Sequence, residues 1–255
     1  MVLCHSMSEI PRHTMKYNDK FHYSIPFQRF CSAQMIETIR KKIPYEEFDY
    51  QTLQVCLSGY AHPRDKISDL LKKGAIIRIK KGLYIFGDDY RRRPYSREIL
   101  ANLIYGPSYI SLDFALQHYG LIPERVEVLT SVTTGRSRKF FTPVGLFTYH
   151  KIPLKAFRMG MARVELDDER AFLMATPEKA LADKLQAGRG LDIRAQRDVR
   201  DYMDNNLRID PAVLGDLNPT ALDAMALAYR SRKIRLLSEV AGRARKGEQE
   251  GNLHA

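Results

Sequence analysis

The chain has 255 residues, enough for two ordinary domains or one large one, and its 44% apolar and 28% charged residues exclude a disordered or fibrous chain and call for a packed core. No stretch approaches the roughly 18 consecutive apolar residues of a membrane span, and the N-terminus has no apolar h-region with a cleavage site, so a cytoplasmic protein is expected. Lys and Arg number 41 against 30 Asp and Glu, a net charge of +11, which favours a polyanionic partner, either nucleic acid or an anionic membrane surface.

Residues 1–30 carry three histidines, His5, His13 and His22, have mixed polarity and show no sustained period; they are expected as a poorly ordered extension. Cys4, Cys31 and Cys56 are scattered and form no C-x-x-C pair, which points to free thiols, with neither a metal nor a cofactor. From Ser32 the apolar residues Met35, Ile36, Ile39 and Ile43 share one helical face, and Pro44 stops the helix. A second helix is predicted over Tyr50–Leu57, followed by a turn at Ser58-Gly59-Tyr60. Pro63 then suits a first helical position, Ile67, Leu70 and Leu71 form a buried stripe, and Gly74 suits the residue just past the helix end. Two β-prone runs follow, Ile76–Ile79 and Leu83–Phe86, joined by a basic turn, Lys80-Lys81-Gly82. Helix, helix, helix, hairpin is the order of a winged helix.

Residues 87–97 are charged, contain Gly87 and Pro94 and lack an apolar period, which reads as a linker with a boundary near residue 90. Beyond it the sequence predicts helices around Ile99–Ile104 and Ser111–Tyr119. Strands follow at Val126–Val132, Phe140–Thr142 and Leu146–His150, with a further pair at Arg163–Leu166 and Ala171–Met174. Thr176-Pro177-Glu178 has an N-cap, a first-turn proline and an early acid, a strong helix start. The rest, from about Ile193 to Ala244, reads as helical with breaks near Pro211 and Pro219. The expected fold is therefore α+β: an extension (1–30), a winged helix-turn-helix domain (31–90), a mixed α/β C-terminal domain ending in helices (91–245) and a polar tail (246–255).

A winged helix puts its third helix in the major groove and its hairpin against the backbone, so positive charge should gather on those elements. Residues 64–97 hold eleven basic side chains against four acids. The helix is mixed: with Ile67, Leu70 and Leu71 inward, Asp65, Asp69 and Lys72 face out most directly. The two acids repel phosphate or accept from cytosine amino groups, while Arg64, Lys66 and Ser68 flank them and Tyr60 and His62 precede them. Arg78, Lys80 and Lys81 surround the hairpin turn and are the better phosphate contacts. The candidate DNA-binding set is Tyr60, His62, Arg64, Lys66, Ser68, Arg78, Lys80 and Lys81. The basic C-terminal residues Arg230, Arg232, Lys233, Arg235, Arg243, Arg245 and Lys246 read as a solvated helix face over the buried stripe Leu236, Leu237 and Val240. The sequence holds no nucleophile elbow, P-loop or H-E-x-x-H, and Asp167-Asp168-Glu169 reads as a turn rather than a metal site. A non-enzyme is expected. The competing readings are a nuclease or nucleotidyltransferase that uses the module to bind substrate, and an interaction protein whose basic surfaces meet an acidic partner.

Three segments carry a resemblance. Leu70–Tyr84, LLKKGAIIRIKKGLY, resembles the helix-to-wing segment of the AbiEi antitoxin family. Tyr109–Ile122, YISLDFALQHYGLI, is similar to that family's Y-(I/L)-S-x-x-S-A-L-x-x-x-G-L-I helix, with Phe114 where the pattern has a small polar residue. Thr176–Asp183, TPEKALAD, resembles its later helix start. The resemblance implies a type IV toxin-antitoxin repressor whose winged helix binds inverted repeats in double-stranded DNA at its own promoter. It also implies a C-terminal domain that counteracts a nucleotidyltransferase-like toxin without a stable complex, and no membrane partner.

Overall fold

The computed structural model describes residues 26–188 and 190–253 and is a mixed α+β protein with helices at its C-terminus; residues 1–25 of the expected extension lie outside the described residues. The first helix, α1 (Pro26–Lys42), starts earlier than the Ser32 expected and turns Met35, Ile36 and Ile39 inward. A three-residue strand, β1 (Glu47–Asp49), leads into α2 (Tyr50–Cys56), where the Asp49 carboxylate caps the helix by accepting from the Thr52 amide at 2.8 Å. Then come α3 (Pro63–Lys72), β2 (Ile76–Lys80) and β3 (Leu83–Phe86). The strands form an antiparallel sheet in the order β1-β3-β2. Gly74, at φ +67°, takes the left-handed position that ends α3.

The middle strand has no solvent face. Leu83, Tyr84, Ile85 and Phe86 are all buried, and strand alternation divides them. Tyr84 and Phe86 join Phe48, Leu53, Ile67, Leu70 and Ile76 in a small core under the first three helices. Leu83 and Ile85, with Ile79 of β2, join a larger core that continues through the rest of the chain.

The segment expected as a linker is fastened to that sheet. Its first residue, Gly87, donates to the Ala75 carbonyl at 2.9 Å, so close to the chain end of α3 that a Cβ there would lie 1.9 Å from the Gly74 carbonyl oxygen. A single 3₁₀ turn follows at Asp88–Tyr90. Buried Glu46, paired with buried Arg40, also accepts from the Arg92 amide at 3.3 Å, and buried Glu47 accepts from the Ser96 amide. Burial pushes the Glu47 carboxyl above its ordinary value, with the Ser96 amide pulling it back.

Beyond this junction lie α4 (Arg97–Ile104), β4 (Ser108–Ile110), α5 (Leu112–His118), β5 (Leu129–Thr133), β6 (Arg138–Thr142) and β7 (Gly145–Lys151). The short helix α6 (Leu154–Phe157), β8 (Met161–Glu165), β9 (Ala171–Ala175) and α7 (Pro177–Ala187) follow. The sheet is mixed, in the order β6-β7-β5-β4-β9-β8, with β4–β9 and β5–β7 parallel. β4 pairs with β9 only through Ile110 and Met174, and the Asn102 side chain serves the open Leu173 backbone, accepting from its amide at 2.6 Å and donating to its carbonyl at 3.3 Å. The chain ends in α8 (Gln196–Asp201), a π-helical turn (Tyr202–Asn206), α9 (Val213–Asp216), α10 (Pro219–Tyr229) and α11 (Arg232–Leu253). Among the described residues no helix is long and apolar enough to cross a membrane.

In α7 the Thr176 hydroxyl accepts from the Lys179 amide at 3.4 Å, the cap read from the sequence. Lys179 and Asp183, one turn apart, are fully buried as an ion pair. Ser111, just before α5, donates to the second Asp183 oxygen at 2.6 Å; Tyr229 of α10 donates to the first, and the Lys179 ammonium lies 2.5 Å from the Tyr229 hydroxyl. One buried carboxylate thus ties α5, α7 and α10 together. Burial pushes the Lys179 ammonium below its ordinary value, against the pull of Asp183, and raises the Tyr229 phenol.

Asp183→Ala strands a buried ammonium and should cost about 3–5 kcal/mol in urea unfolding, whereas Lys179→Met should cost less because Asp183 keeps Ser111 and Tyr229 as donors. A raised carboxyl favours the folded state most when protonated, and that contribution is lost as pH rises through the folded value. Glu47→Gln should therefore melt above the wild type at pH 7, with the difference shrinking as pH falls into the carboxylate range.

Candidate nucleic-acid interface

A groove of about 750 Å³ runs between α3, the start of α2 and the β2–β3 hairpin, lined by Tyr50, Arg64, Ile67, Arg78, Lys81, Gly82 and Tyr84. Three of the eight residues singled out from the sequence meet here: Arg64 from the first turn of α3, Arg78 from β2 and Lys81 from the hairpin turn. All three are exposed, none has an ion-pair partner among the described residues, and no acidic residue lines the groove. Three uncompensated cations around an apolar floor make a surface that attracts phosphate oxygens.

The hairpin is built to hold this shape. Lys81 and Gly82 form its two-residue turn, Gly82 supplies the positive φ of +88°, and the Gly82 carbonyl accepts from the Tyr50 amide at 2.9 Å. Arg78 lies opposite Tyr84, whose ring stands 6.2 Å from that of Phe48 in a stacked arrangement.

The other five candidates lie elsewhere. Tyr60 and Lys66 form their own pair, with the Lys66 ammonium 5.8 Å from the Tyr60 ring centroid. His62 is exposed at the N-cap of α3 without a capping bond, and Ser68 is exposed on that helix. Lys80 is half-buried and points away from the groove, donating to the carbonyl of Ile104 at the end of α4; burial pushes its ammonium below the ordinary lysine value. Tyr50, Ile67, Gly82 and Tyr84 complete the lining but were not among the eight. Strand alternation placing Tyr84 on the Arg78 face was the signal available for one of them; Tyr50 had none, because its place depends on β1.

The remaining charged features have local partners or face solvent. Asp167 closes its turn by accepting from the Glu169 and Arg170 amides at 3.1 and 2.8 Å and from the Arg170 side chain at 2.7 Å. On α11 the outward stripe Arg232, Arg235, Glu239 and Arg243 runs over buried Ile234, Leu237, Val240 and Ala241. Among the described residues no three His, Cys, Asp or Glu side chains come together as metal ligands. No protein-family model matches the chain, and no curated protein matches it.

Proposed function

We propose that the chain is a DNA-binding transcriptional repressor that reads double-stranded DNA through a winged helix formed by residues 31–90, and that it is the antitoxin of a type IV toxin-antitoxin operon. The observation that carries the DNA reading is the groove in which Arg64, Arg78 and Lys81, from a helix and a hairpin, stand together without a counter-charge. The element order α1-β1-α2-α3-β2-β3, closed by the antiparallel β1-β3-β2 sheet, supports it. In that arrangement α3 is the helix offered to the major groove and the hairpin turn meets the neighbouring backbone. Phosphate contact by the three cations supplies affinity and orientation, while the exposed α3 residues Asp65, Ser68 and Lys72 are left for base edges.

The antitoxin half rests on the resemblance of Leu70–Tyr84, Tyr109–Ile122 and Thr176–Asp183 to the AbiEi family. Two of these segments contribute to one buried network, Ser111 donating to Asp183, so the motif residues of the second half are explained by packing and none is assigned a contact with the toxin. The functional partner is a nucleotidyltransferase-like toxin, opposed without a stable complex. The DNA is an inverted repeat at the protein's own promoter, and no cofactor takes part.

Fluorescence anisotropy with labelled upstream DNA tests the reading. The intact protein should bind with an affinity that falls steeply with salt, and Arg64→Ala, Arg78→Ala and Lys81→Ala should each flatten the log K against log[salt] slope by about 0.9. Absence of binding by the intact protein sinks the DNA reading. Failure of co-expression to rescue growth from a downstream nucleotidyltransferase-like gene sinks the antitoxin half alone.

A further inference from the structure

We infer that Lys80 is a positioning residue that locks the hairpin onto α4, so that the second half of the chain is a structural part of the DNA-contacting surface; this rests on the DNA reading above. In a regular strand, residues 76, 78 and 80 share a face, which would set Lys80 beside Arg78 in the groove. The register prevents this. Arg78 pairs with Tyr84, but Lys80 pairs with Leu83, a bulge that sets Ile79 and Lys80 together opposite one residue. The extra residue reverses the alternation, and Lys80 follows Ile79 to the opposite face.

That face is already committed. Ile79, Leu83 and Ile85 are buried in the same core as Leu100, Ala101 and Ile104 of α4. The last carbonyls of a helix have no partner within it and carry the negative end of its dipole. The Lys80 ammonium donates to such a carbonyl, that of Ile104, the final residue of α4. Lys81, the next residue, is exposed and lines the groove. Two adjacent lysines thus have opposite tasks: one meets the ligand, the other holds the strand that presents it. Lys80 fixes the β2 end of the turn to α4, while the Tyr50 amide holds the Gly82 end to α2. Together they set where Arg78 and Lys81 stand relative to Arg64.

The full-length variants Lys80→Met and Lys81→Met make the same chemical change at neighbouring positions, and Lys80→Arg keeps a donor. Each is titrated against labelled upstream duplex over a range of KCl concentrations, and exchange of the hairpin amides 76–86 is followed without DNA. Lys81→Met should flatten the salt slope by about 0.9 and leave amide exchange unchanged. Lys80→Met should weaken binding by about three- to tenfold, the scale of one hydrogen bond, at every salt concentration with the slope preserved, and should speed hairpin exchange. Lys80→Arg should recover much of both. A slope flattened by Lys80→Met as by Lys81→Met, or affinity and exchange both unchanged, overturns the inference. If the wild type binds no DNA, the function proposed above fails, and hairpin exchange by itself decides whether Lys80 locks the hairpin.

Discussion

Leu83-Tyr84-Ile85-Phe86 is a four-residue strand with no polar side, and both hydrophobic cores are built against it. Fully burying an aliphatic or aromatic side chain is worth about 1.5–3 kcal/mol, whereas an exposed ion pair contributes at most about 1 kcal/mol. The strand's apolar alternation, and not the charges around it, therefore decides how the helices of the first 90 residues sit against the larger sheet. Every feature of the groove inherits that decision: Tyr84 faces the small core and lines the groove, while its neighbours Leu83 and Ile85 are sunk on the other side.

Buried charge is used sparingly and locally. Glu46 and Glu47 face the chain that leaves the hairpin and accept from its amides at Arg92 and Ser96, so a segment rich in arginine is fixed by backbone contacts to two acids at the start of β1. Asp183 does the corresponding task in the larger core, where it joins three helices through Ser111, Lys179 and Tyr229. Pairs of this kind seldom add net stability compared with well-packed apolar residues, but losing one partner is costly. They fix which elements meet.

The consequence for function is a division of the basic residues by geometry. Arg64, Arg78 and Lys81 keep their charge free for a ligand, while Lys80, Arg93 and Arg40 are spent within the protein, on Ile104, on Asp167 and Glu169, and on Glu46. A surface cation costs nothing to keep solvated, and that is what a phosphate contact needs. The half-buried Lys80 is more useful as a donor to a helix end.

Much of the architecture was legible in the residues. The apolar period of α1, the capped start of α7, the proline at the start of α3, the glycine after it and the β-prone runs around Lys81-Gly82 all fall where the sequence placed them, because each is decided within one or two turns of chain. The three-residue strands β1 and β4 were not legible, since they exist only by pairing with β3 and with β5 and β9. Nor could 87–97 be told from a free linker, because the groups that hold it, Glu46 and Glu47, lie some 46 to 49 residues away in the chain. The sequence by itself determined that basic charge gathers on a helix and a hairpin. Which of those charges faces outward was decided by the tertiary structure alone, because a one-residue bulge between Arg78 and Lys80 reverses the side of the sheet, and nothing local to the run IIRIKKG marks it.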